Sequence, residues 1–173
     1  FTQAALTKHD FASWSSGSVR SYDCRLETLD NYASVRRIEK IDFVNIDVEG
    51  AEMAVLRGMQ QILSSSAAPM LMLEIFPIWM KDFDFSPRDL FSLLVKAGYK
   101  CYAITKKGLV SCQDPLDAIC LLSFPNFLDF LCVIPELHRE KIFALNELYK
   151  PGICEAVEDA RAANPSAVLH RRI

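Results

Sequence analysis

Two stretches of the chain are almost continuously apolar, and each carries an acidic residue at or near its end. Ile41–Asp47 reads Ile-Asp-Phe-Val-Asn-Ile-Asp, and Met70–Phe76 reads Met-Leu-Met-Leu-Glu-Ile-Phe. Short β-rich runs of this kind are typical of strands that are buried on both faces of a parallel sheet. We therefore predict two central strands that deliver Asp47 and Glu74 to their carboxyl ends.

Helical periodicity follows the first of these strands. The segment Ala51–Ser64 places five apolar side chains on one stripe at helical spacing, namely Val55, Leu56, Met59, Ile62 and Leu63. Ser86 and Pro87 are suited to the N-cap and first position of a second helix, which Gly98 would end. A shorter helix is predicted over Leu29–Val35, with Thr28 as its N-cap.

The remaining segments complete an alternating pattern of strands and helices. Further strands are predicted at Val19–Leu26, Tyr99–Thr105, Leu109–Ser111 and Phe130–Ile134, with an aromatic loop at Pro77–Phe85 and a helix at Glu136–Tyr149. This order predicts an α/β fold with a mostly parallel sheet, an antiparallel end and helices on both faces.

Composition and charge exclude several classes of function. The 173 residues are 51% hydrophobic, which fits one compact domain or a large part of a bigger one. The net charge of −3 and the lack of a dense Lys/Arg run argue against nucleic-acid binding through phosphate contacts. No apolar stretch is long enough to span a bilayer, so no membrane span is predicted.

The cysteine and histidine patterns argue against a disulfide framework and against a structural zinc site. The six cysteines form no C-x-x-C pair, and most lie in apolar runs, so we predict buried thiols of a reducing, cytoplasmic compartment. Cys101 and Cys112 flank a predicted turn and are the one pair placed to meet. The three histidines are scattered, and no metal ligands are assigned.

The acidic residues at the strand ends are the candidate site. Ligands of open α/β sheets bind at the carboxyl ends of the strands, where Asp47 and Glu74 are predicted to arrive, with Glu49 and Glu52 beside Asp47. Neighbouring buried carboxylates are costly unless they share a proton or bind a cation, so this cluster suits a general base or a cationic ligand. The alternative is that Glu49 and Glu52 merely cap the helix and that Glu74 pairs with a basic residue.

Four short elements follow one another along the chain. They are Thr28-Leu29-Asp30, then Asp47-Val48-Glu49-Gly50-Ala51-Glu52 after the first strand, then Val55-Leu56-Arg57-Gly58, and finally Pro69-Met70-Leu71-Met72-Leu73-Glu74-Ile75. In these elements the chain resembles the FkbM-type methyltransferases, which typically show "TLD", "IDFLKIDVEGAE", "VLRGA" and "P-x-ILLEI". Asn45 stands where Lys is usual, and Met59 replaces the final Ala. The resemblance covers residues 19–105 and, more loosely, 127–135.

The resemblance implies a Rossmann-like class I methyltransferase fold with S-adenosylmethionine as the methyl donor. Members of the family act mainly on hydroxyl groups of sugars, polyketides and related small molecules. By this resemblance Asp47 would lie beside the donor methyl group and the acceptor. Asp47 or Glu74 would be the base, Glu49 would position the acceptor or a metal bound to it, and Glu52 would contact the acceptor. Trp79 and Phe83 would form an apolar wall for the acceptor, the alternative being that these aromatic residues only pack within the protein.

The donor-binding half of the family pattern is not found in the sequence. That half normally has an apolar strand ending in a Gly-rich turn, but no two of the six glycines form a G-x-G pair. We therefore expect a C-terminal part of a methyltransferase domain at 19–150, an irregular segment at 1–18 and a polar, weakly helical tail at 151–173. The chain alone is expected to bind donor poorly and to be inactive.

Two other functions remain open from the sequence. Asp47-Val48-Glu49 resembles the D-x-D metal site of nucleotide-sugar glycosyltransferases, although three residues are a weak match. Alternatively, the missing Gly-rich half and Asn45 fit a non-catalytic, methyltransferase-like interaction domain.

Overall fold

The computed structural model describes residues 22–105, 108–112 and 128–148. Its helices are α1 (Leu29–Arg36), α2 (Glu52–Arg57), α3 (Gln60–Leu63), α4 (Pro77–Met80), α5 (Pro87–Lys96) and α6 (Pro135–Leu148), with a 3-10 turn at Lys81–Phe83. Its strands are β1 (Phe43–Ile46), β2 (Met70–Ile75), β3 (Lys100–Thr105), β4 (Gly108–Cys112) and β5 (Leu128–Val133). The fold is therefore mixed α/β, as predicted.

The described strands form one sheet in the order β1-β2-β5-β3-β4. Only β1 and β2 pair in parallel, whereas β2–β5, β5–β3 and β3–β4 are antiparallel. The prediction of a mostly parallel sheet is therefore wrong. Apolar runs reveal that a strand is buried but not its direction, and β5 inserts between β2 and β3 in the opposite sense.

The hydrophobic core lies mainly on one face of the sheet. Alternate residues of β2, Leu71, Leu73 and Ile75, are fully buried there beneath α2, α3 and α5. Phe91 of α5 meets Phe130 of β5 edge to face, with ring centroids 4.8 Å apart. A smaller cluster on the other face packs against α6 and consists of Met70, Leu109, Leu131 and Val133, with Ile142 beside them.

The two well-capped helices confirm their predictions. The Thr28 hydroxyl accepts a hydrogen bond from the Asn31 N–H at the start of α1. At the start of α5, Ser86 and Asp89 form a reciprocal capping box, with Pro87 in the first position. Gly98 follows α5 with φ of +87°, the left-handed conformation expected after a helix.

Other predicted elements are corrected by the structure. Residues 22–26 are irregular rather than a strand, and residues 19–21 lie outside the described part. The helix predicted over 51–64 is two short helices, because the chain turns at Gly58 and Met59. The loop predicted at Pro77–Phe85 contains α4 and a 3-10 turn, since Pro77 is favourable at the first position of a helix. The predicted segments 1–18 and 151–173 lie outside the described residues.

Strand β1 is less buried than predicted. Among the described residues it has a neighbour on one side only, and Phe43 remains 49% exposed. Ile46 is buried, whereas Asn45 is exposed, so one face of the strand packs on the core and the other does not. The prediction of burial on both faces is therefore wrong.

The Thr28-Leu29-Asp30 element has a structural role in the described contacts. The Asp30 carboxylate accepts hydrogen bonds from the N–H groups of Gln61 and Ile62, at 3.0 and 3.1 Å. The Asp30 N–H in turn donates to the Gly58 carbonyl at 3.0 Å. Asp30 thus caps α3 from thirty residues upstream and fixes the break between α2 and α3.

The cysteine prediction is confirmed in part. Cys101, Cys112 and Cys132 are buried, but Cys24 is exposed, and Cys120 and Cys154 lie outside the described residues. Cys101 faces Cys112 across β3–β4, yet its close sulfur neighbour is Cys132, at 3.1 Å. Within the described residues, no helix is long and apolar enough to cross a membrane.

Candidate functional site

The register of the parallel strand pair brings Asp47 beside Glu74. Ile46 of β1 is the partner of Leu73 of β2; Glu74 is the next residue of β2, and Asp47 follows directly after the end of β1. Ile46 and Leu73 point into the core, so the following residues point to the opposite face of the sheet. The sequence prediction that the two carboxylates meet at one end of the sheet is therefore consistent with the register.

A strained turn after β1 holds the acidic residues in place. Glu49 has φ of +52°, and Gly50 has φ of +101°, a conformation that side-chain-bearing residues rarely adopt. Gly50 also lies against the backbone of Trp79 in α4, where an added Cβ would come within 2.7 Å of two Trp79 atoms. The turn that carries Asp47 and Glu49 is thus packed directly on the segment that follows Glu74.

Three of the predicted site residues form a compact cluster. Carboxylate oxygens of Asp47, Glu49 and Glu74 all lie within 4.8 Å of one another. Asp47 is exposed, whereas Glu49 and Glu74 are half-buried. The cluster is therefore open to a ligand on one side and shielded from water on the other.

Glu74 holds a proton under conditions where an ordinary glutamate has lost it. Burial, a hydrogen bond with Asp47 and the charge of Asp47 raise the pKa of Glu74 to about 7, and Asp129 and Glu49 contribute to the rise. A protonated Glu74 can donate to an ionised Asp47, so the two residues form a carboxyl–carboxylate pair. The alternative that Glu74 pairs with a basic residue finds no support in these contacts.

Glu52 lies apart from the cluster. Its side chain is only 1% exposed, and its Oε1 accepts a hydrogen bond from the Gly50 N–H at 2.9 Å. Burial raises the pKa of Glu52, and Glu49 and Asp47 add to the rise, while the Gly50 hydrogen bond opposes it. Its Oε2 has no hydrogen-bond partner among the described residues. The bond to Gly50 stabilises the turn before α2, whereas α2 has no side-chain cap, so the alternative in which Glu52 caps the helix is not matched. A contact of Glu52 with the acceptor stays a prediction.

The two predicted aromatic residues differ in their distance from the acids. Trp79 follows Glu74 by five residues, packs its backbone on Gly50, and meets the Phe76 ring edge to face at 4.4 Å. Phe83 lies beyond α4, where its ring is 6.4 Å from that of Phe85. Trp79 is therefore tied to the acidic turn through its backbone, whereas no described contact ties Phe83 to it.

Asp129 is a further acidic residue beside the cluster that the sequence patterns did not single out. It is the cross-strand partner of Glu74 in the antiparallel β2–β5 pair. Burial raises the pKa of Asp129, and the charge of Asp47 raises it further. The signal in the sequence was an isolated acid at the start of an apolar strand, but its nearness to Glu74 depends on the antiparallel pairing.

The carboxylate oxygens of the cluster suit a positively charged ligand. Three carboxylates this close could hold a cation or share a proton, and the hydrogen bond between Asp47 and Glu74 favours the shared proton. Asp47 is exposed and lies at the strand end, so it is the member of the cluster most open to a cationic ligand. The described residues contain no Gly-rich turn for an adenosine group.

Comparison with known proteins gives one family. The family model described as "Methyltransferase FkbM domain" matches residues 3–101, more than half of the chain. Neither the curated proteins nor the solved structures contain a match. The matched region includes α1, β1, β2 and the acidic turn.

Proposed function

We propose that this chain, which belongs to the FkbM methyltransferase domain family, forms the acceptor side of a site that methylates a hydroxyl oxygen of a small molecule or sugar. The family assignment supports methyl transfer. The hydroxyl acceptor and S-adenosylmethionine as donor are our extension of it. The mixed α/β sheet is consistent with a Rossmann-like methyltransferase fold.

The observation that carries the proposal is the Asp47–Glu74 pair. A general base works best when its pKa lies near the working pH, and the pKa of Glu74 is about 7. Ordinary surface carboxylates are too weakly basic to take a hydroxyl proton efficiently near neutrality. The pair occupies the strand ends, where the substrates of α/β enzymes bind.

The residues fit the charge of the proposed donor. S-adenosylmethionine supplies an electrophilic methyl group on a positively charged sulfur. Asp47 is the exposed carboxylate, and its negative charge would attract that sulfur and help to orient it. The residues that would hold the adenosine are not assigned within the described part of the chain.

The pair also provides a place for the proton that the acceptor loses. When Glu74 is ionised, its carboxylate can take the proton from a hydroxyl group that lies within hydrogen-bond reach. The protonated Glu74 then donates to Asp47, which returns the pair to the arrangement in the structure. Glu49 is close enough to contact the same acceptor, and we propose Trp79, Phe83 and Glu52 as further lining residues.

The test is Asp47→Asn in the intact protein that carries this chain, with Asp42→Asn as the matched control. Asp42 lies just before the amino end of β1, where it pairs with Lys40 at 2.7 Å and Lys141 at 3.6 Å. Asp47→Asn removes the carboxylate that accepts the proton of Glu74. We expect it to lower kcat by about 10²-fold, the lower end of a general-base contribution, and Asp42→Asn to leave kcat nearly unchanged. Methyl transfer is measured with isotope-labelled S-adenosylmethionine.

Other results would favour the rival functions. Near-normal methyl transfer by a folded Asp47→Asn variant would refute the assignment of this residue. Turnover of a nucleotide sugar that depends on a divalent cation would favour a glycosyltransferase. An intact protein that folds but binds no donor would favour a non-catalytic interaction domain.

A further inference from the structure

Three acidic residues form a row across three adjacent strands. The β1–β2 register, continued by one residue, places Asp47 beside Glu74, and the β2–β5 register places Asp129 directly opposite Glu74. Asp129 and Glu74 are both half-buried. Alternation along the strands puts all three side chains on the face opposite the main core.

We propose that Asp129 is a further carboxylate beside the Asp47–Glu49–Glu74 cluster and a positioning residue that controls when Glu74 can accept a proton. The proposal rests on the proposed function, because it assigns Asp129 a part in the same proton transfer. Asp129 acts through Glu74 and does not itself touch the reacting atoms.

The cross-strand pairing of Glu74 with Asp129 is costly when both carboxylates are charged. Directly opposed residues of an antiparallel pair have Cβ atoms about 5 Å apart, and like charges at such positions destabilise a sheet. A proton on Glu74 removes that repulsion, so the charge of Asp129 favours the protonated form. Asp129 therefore helps to hold Glu74 in the state in which it donates to Asp47.

The charged groups around Glu74 all act in the same direction. Asp47 and Glu49 act from the end of β1, and Asp129 acts from β5, and each raises the pKa of Glu74. The helix after β2, Pro77–Met80, contains no charged residue. On α6, Lys141 pairs with Asp42 near the other end of β1. Removing Asp129 should therefore shift Glu74 in one predictable direction.

The test follows the Glu74 side-chain carboxyl carbon by NMR during a pH titration of this chain. Asp129→Asn should lower the Glu74 midpoint by about 0.5 unit or more, as expected for two unit charges about 5 Å apart. Asp129→Glu keeps the charge and should leave the midpoint near its original value. The matched control is Glu39→Gln, because Glu39 is exposed and precedes β1 at the opposite end of the strand.

The same variants are then compared in the pH profile of methyl transfer by the intact protein. In Asp129→Asn the rising limb of the profile should move to lower pH by the same amount, whereas Glu39→Gln should leave it in place. An unchanged Glu74 midpoint in Asp129→Asn, or an equal shift in Glu39→Gln, would overturn the proposal. Asp129→Ser provides the same comparison if the Asn variant does not fold.

The two proposals fail in different ways. A shifted Glu74 midpoint without methyl transfer by the wild-type intact protein would leave the electrostatic link in place and refute the proposed reaction. Normal methyl transfer by the wild-type protein, together with an unchanged Glu74 midpoint in Asp129→Asn, would support the proposed reaction and refute the role of Asp129. Adding Mg²⁺ during the NMR titration reveals whether a cation displaces the proton, and a Glu74 midpoint set by Mg²⁺ rather than by Asp129 would also overturn the proposal.

Discussion

Gly50 is the position where a single methyl group should do most damage to the candidate site. Its φ of +101° is unfavourable for any residue with a Cβ, and the space for that Cβ is already filled by the Trp79 backbone, 2.7 Å away. Backbone atoms of a neighbouring helix cannot rotate aside as a flexible side chain can. Gly50→Ala therefore combines backbone strain with a steric clash.

The magnitude can be worked out by comparison with Gly98. Gly98 also has a positive φ, +87°, but a Cβ added there would have no atom within 4 Å. Backbone strain alone should cost Gly98→Ala about 1 kcal/mol of the free energy of unfolding. Overpacking adds about 1–3 kcal/mol, so Gly50→Ala should cost about 2–4 kcal/mol, a large part of the stability of a small domain.

Urea unfolding of the two variants and the wild-type chain measures this difference. We expect Gly50→Ala to lose at least about 1 kcal/mol more than Gly98→Ala, which is the smallest overpacking cost considered above. Gly50→Ala should also lower the Glu74 NMR midpoint, because displacing the turn takes Asp47 away from Glu74. Equal destabilisation by the two substitutions would refute the reasoning, since it would show that the approach of Trp79 to Gly50 costs nothing to disturb.

Two further predictions concern contacts outside the acidic cluster. Asp30→Ala removes the cap of α3 and should lower the free energy of unfolding by about 1 kcal/mol in urea unfolding, because both oxygens of the carboxylate accept from backbone N–H groups. A loss no larger than that caused by Glu39→Ala, a substitution of an exposed residue, would contradict a capping role. His138 is 6% exposed, accepts from the Ile134 N–H at Nδ1 and donates to the Ala68 carbonyl from Nε2, and burial lowers its pKa. The folded state thus binds this proton less readily, so the contribution of His138 is fully present above about pH 6.5 and is lost as the pH falls below it. His138→Gln should flatten that part of the dependence of stability on pH, and an unchanged slope would contradict the assignment.

The predictable parts of this fold are those encoded by local signals. Ser86, Pro87 and Gly98 specify the limits of α5 within a few residues, because caps act over one turn of a helix. The apolar run before Glu74 likewise identifies β2. Strand direction was not predictable in the same way, because the pattern of apolar residues in β5 is the same whether its neighbours are parallel or antiparallel to it.

The candidate site likewise contains residues that local sequence signals predict and residues that only the strand pairing reveals. Asp47 and Glu74 were predictable because each ends an apolar strand, and strand ends are where ligands bind. Asp129 was not, because its partner is more than fifty residues away and only the β2–β5 register reveals it. Asp30 is a different case: it belongs to the family-like elements of the sequence, and its described contacts cap a helix.

The titrations of Glu74 and His138 have opposite effects on stability, and this bears on how the site is assayed. The folded-state pKa of Glu74, about 7, lies above its unfolded value of about 4.5. Its contribution is fully present below about pH 4.5 and is lost as the pH rises to about 7. The contribution of His138 is lost in the opposite direction, so the two contributions partly offset each other below about pH 6.5. A pH profile of methyl transfer is therefore compared with urea unfolding at the same pH values, so that protonation of Glu74 is distinguished from unfolding of the protein.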